Sequence, residues 1–253
     1  MESYAAPGKR LTIAVKGGFD KDRESTLLTI LAGSIFIIGC SFYLVGAILN
    51  LPQLDASDAW MYNAIGAAAF ILCGFVEYCN FMGGFHVFLI FAGIFGLIAE
   101  VLDGQQSPIS VHFNFLANHM YFCEAVKVYN AHSGDFYFME IANKYIMVET
   151  LKVADLFFVL GTMIDLGLAW IYLFFTGSSN GPGEGSSGED HLNMLKSDDQ
   201  KVAEVASASL WFVCAILTLI VYIRMAQVKA SAGESDDDDE DEKESLTNLS
   251  SDV

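Results

Sequence analysis

The chain alternates between long apolar runs and short polar connections. The first run, residues 27–49, ends at the turn Asn50-Leu51-Pro52, and a second run covers residues 60–81. Three more runs follow, at residues 83–102, 152–175 and 205–226. A helix of about 20 apolar residues spans the hydrocarbon layer of a bilayer, and each run reaches this length. The pattern therefore predicts an all-α, polytopic transmembrane helical bundle.

Residues 111–130 have the length of a span, but polar side chains interrupt them. These side chains are Asn114, Asn118, His119, Glu124 and Lys127. The positions of Lys and Arg favour a crossing, because basic residues collect in cytoplasmic loops. With six spans and both termini in the cytoplasm, Lys196 and Lys201 are the only basic residues on the outer side of the membrane. With five spans, the excess of Lys and Arg on the cytoplasmic side almost disappears. We predict six spans, arranged as three hairpins, after a cytoplasmic segment at residues 1–26.

The net charge of −18 reflects a terminal segment more than the bundle. Acidic residues dominate Glu234–Glu244. We predict a disordered acidic tail over residues 228–253, after a transmembrane bundle at residues 27–227. Such a tail repels the phosphates of nucleic acid, so nucleic acid is not an expected partner. The expected partners are the lipid bilayer and, for the tail, a cytoplasmic protein that captures a C-terminal carboxylate.

The first run shares a pattern with the run at residues 152–175. Residues 32–47 and 154–169 align without gaps, and five positions carry the same residue in both. These pairs are Ala32/Ala154, Phe36/Phe158, Gly39/Gly161, Leu44/Leu166 and Ala47/Ala169. In this alignment Tyr43 corresponds to Asp165. The match fits an internal repeat, and it also fits chance within the narrow choice of residues that membrane helices use.

The first hairpin also carries a short motif, G-S-x-F-x-x-G. Its residues are Gly33, Ser34, Phe36 and Gly39. With this motif, residues 30–80 resemble the YrhK-like family of two-helix membrane domains, and a degraded second copy would begin at residue 154. The second span differs from the family, because Ile65–Phe70 stands where a second Gly-Ser pair is expected. The resemblance implies a membrane domain without an established biochemical function and supplies no catalytic residue.

Ionisable side chains within the spans are the candidate functional residues, because a charge at a helix centre costs about 2.5–3.5 kcal/mol on insertion scales. Asp165 lies near the middle of its span, and His119 and Asn118 lie at a similar depth. The other candidates lie towards the helix ends, with Glu77, His86, Glu124 and Asp155 on the cytoplasmic side and Glu100 on the outer side.

These residues allow two interpretations. In the first, they form hydrogen bonds that fix the register of the helices, in a membrane protein with a structural or organising role. In the second, they form a proton or cation path through Asp165 and His119, in a small transporter or channel. The first is the leading interpretation and the second is the alternative.

The sequence contains no recognisable catalytic motif. The patterns G-x-S-x-G, H-E-x-x-H and the P-loop do not occur, so we expect no enzymatic activity. His86 and His112 fall at opposite faces of the predicted bundle, so no histidine pair for haem is evident and no cofactor is expected. The five cysteines lie in apolar segments without metal-site spacing, which indicates buried thiols and no metal site.

Overall fold

A computed structural model describes residues 26–54, 58–81, 86–133, 144–176 and 197–249. Six α-helices follow one another in these ranges: α1 (Thr26–Leu49), α2 (Ala59–Phe81), α3 (Val87–Gly104), α4 (Ser110–Ser133), α5 (Lys144–Ile171) and α6 (Asp198–Leu249). A π-helical turn, Tyr172–Thr176, continues α5. The described ranges contain no strand, so the prediction of an all-α helical bundle is confirmed.

The six helices form a closed ring. Each helix packs against the helices that precede and follow it in the chain, and α6 packs against α1. Short connections join α1 to α2, α2 to α3 and α3 to α4, which makes these neighbours antiparallel. The ring thus has two ends. We call the end with the turns after Leu49 and Gly104 the turn end, and the end where α1 begins the terminal end.

Five of the described helices are long and apolar enough to cross a membrane, and they identify a multi-pass membrane protein. The candidate spans are Leu27–Leu49, Ala59–Asn80, Val87–Gly104, Thr150–Phe174 and Asp198–Arg224. Two of them begin four or more residues away from the predicted start. The third span begins at Val87 instead of residue 83, and the last helix begins at Asp198 instead of residue 205.

Helix α4 is the polar member of the ring, and it turns its polar face inward. Asn114, Asn118, Tyr121 and Glu124 recur at intervals of three or four residues, which places them on one face. Tyr121 and Glu124 are buried, whereas Leu116 on the opposite side of the helix is exposed. An average of hydropathy along a helix mixes these two faces, so it undervalues a helix that hides its polar face inside protein.

Helix α6 extends far beyond the bundle, to Leu249. Residues 228–249, which we expected to belong to a disordered tail, are therefore helical in this structure. The physical reason is that nucleation is the costly step of helix formation, and a helix that already exists can propagate without a new nucleus. The predicted N-terminal segment up to residue 25, the Gly/Ser-rich connection at residues 177–190 and the last four residues lie outside the described residues.

Whether α4 crosses the membrane can be tested by labelling its two ends. The prediction of buried thiols is wrong for Cys79 and Cys123, which are exposed, because a helix in an apolar segment has an outer face as well as a buried one. Gln105→Cys, just before α4, and Ser133→Cys, at its end, would each be introduced after these two cysteines are replaced by serine. Because a 24-residue helix is about 36 Å long, a crossing α4 puts the two positions on opposite sides. We expect an impermeant maleimide to label them from opposite faces of sealed vesicles. Labelling of both from one face would contradict six spans.

Candidate functional site

A cavity of about 90 Å³ lies inside the ring towards the turn end, and all six helices contribute to it. Its lining contains four carboxylates, Glu100, Asp103, Asp165 and Glu204. Four amides also line it, from Asn50, Asn63, Asn114 and Asn118. No Lys, Arg or His belongs to this lining as far as the structure describes the chain. We refer to it as the acidic cavity.

The first helix of each hairpin contributes to the acidic cavity through the same spacing. A glycine is followed four residues later by a lining side chain, in the pairs Gly39/Tyr43, Gly96/Glu100 and Gly161/Asp165. Residues four apart lie on one face of a helix. Tyr43 and Asp165, which correspond in the alignment of residues 32–47 with 154–169, therefore occupy similar places in the first and third hairpins. Glu100 takes this place in the second hairpin.

The second helix of each hairpin follows a different spacing. A polar lining residue is followed seven residues later by an aromatic residue, in the pairs Asn63/Phe70, Asn114/Tyr121 and Glu204/Trp211. Seven residues are close to two turns, so each pair lies on the face that is directed into the ring. The three hairpins thus place similar groups around one centre.

Phe70, Tyr121 and Trp211 meet inside the ring and form what we call the aromatic layer. Their ring centroids are 5.7 Å apart for Phe70 and Tyr121, 5.5 Å for Phe70 and Trp211, and 4.9 Å for Tyr121 and Trp211. All three side chains are buried. Since Tyr121 and Trp211 also line the acidic cavity, the layer closes the cavity on the side of the terminal end.

Glycines in the facing helices make room for this layer. A Cβ atom at Gly39 would lie 2.7 Å from the ring of Phe70, and one at Gly161 would lie 2.7 Å from Nε1 of Trp211. Real Cβ atoms do not approach other groups so closely. The bulky rings of α2 and α6 can therefore reach the centre because α1 and α5 have no side chain at these positions.

Side-chain amides and hydroxyls donate hydrogen bonds within the acidic cavity. Asn63 Nδ2 donates to Glu100 Oε2 at 3.4 Å, and Tyr172 Oη donates to Glu204 Oε1 at 3.2 Å. On α4, the amide of Asn118 donates to that of its neighbour Asn114, with Nδ2 3.0 Å from Oδ1. Asn63 and Tyr172 are neutral donors, and their hydrogen bonds help to orient the carboxylates of Glu100 and Glu204.

A second polar group lies towards the terminal end. His86 Nδ1 is 2.9 Å from Glu77 Oε2 and 2.9 Å from Glu124 Oε1. The three residues come from α2, the start of α3 and α4, and all are buried. We call them the histidine cluster. Burial lowers the pKa of His86, but the nearby carboxylates of Glu77 and Glu124 outweigh it and raise the pKa to about 10.

The histidine cluster and the acidic cavity come close together on α4. Glu124 follows Tyr121 by three residues, which is a rise of about 4.5 Å along the helix axis. Glu124 Oε2 is buried without a hydrogen-bond partner in this structure. The aromatic layer thus separates the acidic cavity from the histidine cluster. Along α4 the layer consists of one side chain, that of Tyr121.

The structure separates some of the predicted site residues. Asp165, Asn118 and Glu100 lie together in the acidic cavity, and Glu77, His86 and Glu124 form the histidine cluster. Asp155 is buried, with 3% of its surface exposed.

His119 is not part of the cavity lining, although we grouped it with Asp165 by depth. Its Nδ1 is 2.8 Å from the carbonyl oxygen of Phe115, and its ring lies beside Phe115 and the exposed Trp170. The depth of a residue along a helix does not determine the direction in which its side chain points around the helix axis. His119 can therefore lie at the depth of Asp165 and still point away from the cavity.

Sequence reasoning missed several contributors to the site, among them Glu204 and Tyr121. Glu204 fell outside the predicted last span, because that span was drawn from residue 205 and α6 begins at Asp198. Tyr121 was not singled out, because a tyrosine in an apolar segment gives no signal by itself. The seven-residue spacing from a polar residue to an aromatic residue in all three hairpins is the pattern that could have identified both.

Comparisons with known proteins add no further constraint. The chain matches no family model, no curated protein and no solved structure. Among the described residues, no group of three or more His, Cys, Asp or Glu side chains is arranged to hold a metal ion.

We expect Gly161→Ala to destabilise the protein. The added Cβ would lie 2.7 Å from Trp211 Nε1 and 3.2 Å from the carbonyl oxygen of Ser207. Overpacking of this kind costs about 1–3 kcal/mol. Gly167→Ala is the matched control, because its Cβ would meet nothing within 4 Å. Thermal unfolding of the purified protein in detergent should show a lower midpoint for Gly161→Ala alone. Equal midpoints would contradict the seating of Trp211 against Gly161.

The raised pKa of His86 predicts a loss of stability at alkaline pH. In the unfolded chain the pKa returns to about 6.5, so the contribution of the charged imidazole is complete below pH 6.5. It decreases above that pH and is lost as the pH rises through about 10. The unfolding midpoint should fall over this range in the wild type and much less in His86→Gln. Parallel pH profiles for the two proteins would contradict a charged His86.

Proposed function

We propose that this multi-pass membrane protein is a small proton- or cation-coupled transporter whose path runs through the interior of the helix ring. One observation carries the proposal. Polar and ionisable side chains from all six helices converge inside a closed ring, in two regions separated by one aromatic layer. Ionisable groups within a membrane are costly, and they most often mark ion or proton pathways.

The closed aromatic layer favours a transporter over an open channel. Phe70, Tyr121 and Trp211 pack together in the centre of the ring and lie between the two polar regions in this conformation. Transport through such a structure requires an alternating movement of the helices that exposes the site to one side at a time. The hairpins supply units of a suitable size for such a movement.

The residues have different roles in this proposal. The carboxylates of the acidic cavity, with Asp165 nearest the membrane centre, attract the cation from the side of the turn end. On α4, Tyr121 lies between the cavity residue Asn118 and Glu124 of the histidine cluster, and we assign its hydroxyl as the proton relay between the two regions. His86, between Glu77 and Glu124, holds the proton at the terminal end.

Orientation in the membrane is part of the proposal. The distribution of Lys and Arg supports six spans with both termini in the cytoplasm. The acidic cavity would then be accessible from the outside and the histidine cluster would lie near the cytoplasm. The resemblance of the first hairpin to YrhK-like domains fits a membrane role and does not favour one function.

A structural or organising role is the second candidate, and the terminal end supplies its support. There, Asn80 Nδ2 donates a buried hydrogen bond of 2.9 Å to Thr29 Oγ1, which ties α2 to α1. The histidine cluster similarly ties α2, α3 and α4. In this interpretation the buried polar groups fix the register of the ring, and the acidic tail binds a cytoplasmic protein.

A flux assay separates the two candidates. The purified protein would be reconstituted in vesicles that contain a pH-sensitive dye, and proton flux would be followed under a cation gradient. We expect Asp165→Asn to reduce flux about tenfold or more, because it removes an ionisable group from the path. Asp199→Asn is the control, since Asp199 is exposed at the start of α6 and lies outside the cavity.

The organising role predicts a different set of results. Wild-type vesicles would show no flux above that of protein-free vesicles, and Asp165→Asn would reduce expression or the unfolding midpoint. Equal flux in the wild type and in a correctly folded Asp165→Asn variant would contradict a path through the acidic cavity.

A further inference from the structure

In the histidine cluster, two carboxylates share one ring nitrogen. His86 Nδ1 is 2.9 Å from Glu77 Oε2 and 2.9 Å from Glu124 Oε1. A ring nitrogen of histidine carries at most one hydrogen, so it donates to only one of these oxygens with good geometry at a time. The three side chains thus bring two acid groups close together, and one N–H group from Nδ1 lies between them.

The second oxygen of Glu124 is the unusual atom of this cluster. Glu124 Oε2 is buried and has no hydrogen-bond partner in this structure. Only 2% of the Glu124 side chain is exposed, against 11% for the side chain of Glu77. Burial of an ionised carboxylate oxygen without a partner costs more free energy than burial of a neutral carboxyl group. Of the two acids, Glu124 is therefore the one that gains more from binding a proton.

The charges of the cluster lead to the same residue. His86 keeps its own proton throughout the neutral pH range, because Glu77 and Glu124 raise its pKa to about 10. One positive charge then faces two carboxyl groups. If both are ionised, one negative charge stays uncompensated within the trio, and if one is protonated the trio is neutral. Buried charges are stable only when they are paired, so the geometry favours a proton on one of the two acids.

Other ionisable groups near Glu124 have weaker effects. Lys127 lies one turn further along α4, and its positive charge opposes protonation of Glu124. Its ammonium group lies over the ring of Phe88, 5.4 Å from the centroid, and Phe88 is exposed, so this charge is at the periphery of the bundle. From α2, the buried thiol of Cys73 is close but uncharged. On α5, Asp155 is buried and acts on a cysteine of α6.

We propose that Glu124 is the residue that takes up and releases the coupling proton, on Oε2, while His86 stays charged and positions it. This inference rests on the proposed function, because it names the proton as the coupled ion and the side chain that carries it. Proton uptake forms an O–H bond at Oε2, breaks the O–H bond of the donor, and removes the negative charge of Glu124. When helix movement admits water, the ionised carboxylate is solvated and the proton leaves.

Infrared spectroscopy of the purified full-length protein in vesicles detects this proton directly. A protonated carboxyl group has a carbonyl band that an ionised carboxylate lacks. Spectra would be recorded from about pH 5 to about pH 9, where ordinary carboxyl groups, with pKa values of about 4, are mostly ionised. We expect the wild type to show a band that Glu124→Gln lacks throughout this range. Cys123→Ser is the matched control and should keep the band, because Cys123 adjoins Glu124 in the chain but is exposed.

Changes to the two partners of Glu124 should move this band along the pH axis in opposite directions. Glu77→Gln removes a negative charge, which makes ionised Glu124 less costly, so the band should disappear at a lower pH and return on acidification. His86→Gln removes a positive charge, so the band should persist to a higher pH. If Glu77 carried the proton, the results for Glu77→Gln and Glu124→Gln would be exchanged.

Proton flux should depend on the same residue. In the dye-filled vesicles described above, Glu124→Gln should reduce flux about tenfold or more, because it removes the group that carries the proton. Cys123→Ser should retain the flux of the wild type. Glutamine has the size and the neutral charge of protonated glutamate, so we expect Glu124→Gln to fold, with its unfolding midpoint as the check. If it does not fold, the infrared shifts of Glu77→Gln and His86→Gln still decide the question.

Three outcomes would overturn the proposal. They are the absence of a carboxyl band from the wild type over the whole pH range, a band that survives in Glu124→Gln, and wild-type flux in a folded Glu124→Gln variant. A failure of the proposed function gives a different result. Flux that falls in Asp165→Asn but not in Glu124→Gln would keep the path and reject Glu124 as the carrier. A band that depends on Glu124, without flux in the wild type, would reject transport and keep the proton site.

Discussion

The packing of α6 against α1 closes the ring, and the rest of the structure depends on this contact. It gives a chain of membrane helices an inside that is separate from lipid. Polar backbone and side-chain groups are costly in the hydrocarbon layer unless protein or water satisfies them. In an open row of helices, the polar face of α4 would lack one of the walls that now enclose it. Closure makes that face part of a shared interior.

The interior of the ring is divided, and the division follows from residue size. Each hairpin sends one aromatic ring to the centre, from Phe70, Tyr121 and Trp211. Gly39 and Gly161 make space for two of these rings. The result is one polar region on each side of a thin apolar layer. Such a division is the arrangement that the proposed alternating transporter would need.

Helix α4 connects the two polar regions. It is also the helix of the ring whose hydropathy does not identify it as a membrane span. Its stripe from Asn114 through Tyr121 to Glu124 passes from the acidic cavity to the histidine cluster. The same side chains that lower its mean hydropathy are those that meet polar partners inside the ring. In this protein, low hydropathy in one helix thus reflects a role inside the bundle. Its position between α3 and α5 in the ring fits the prediction of six spans.

The sequence by itself determined the class of the protein and most of its helices. Long apolar runs require helices in a membrane, because only helices and closed barrels satisfy the backbone there. The sequence also identified Asp165 and Glu124 as unusual, since charges in apolar runs are rare. It could not pair them, because pairing depends on the rotation of each helix about its axis and on which helices are neighbours. The tertiary structure decided that Asp165 shares a cavity with Glu100 and not with His119. It did so because ring closure and the central aromatic side chains fix those rotations.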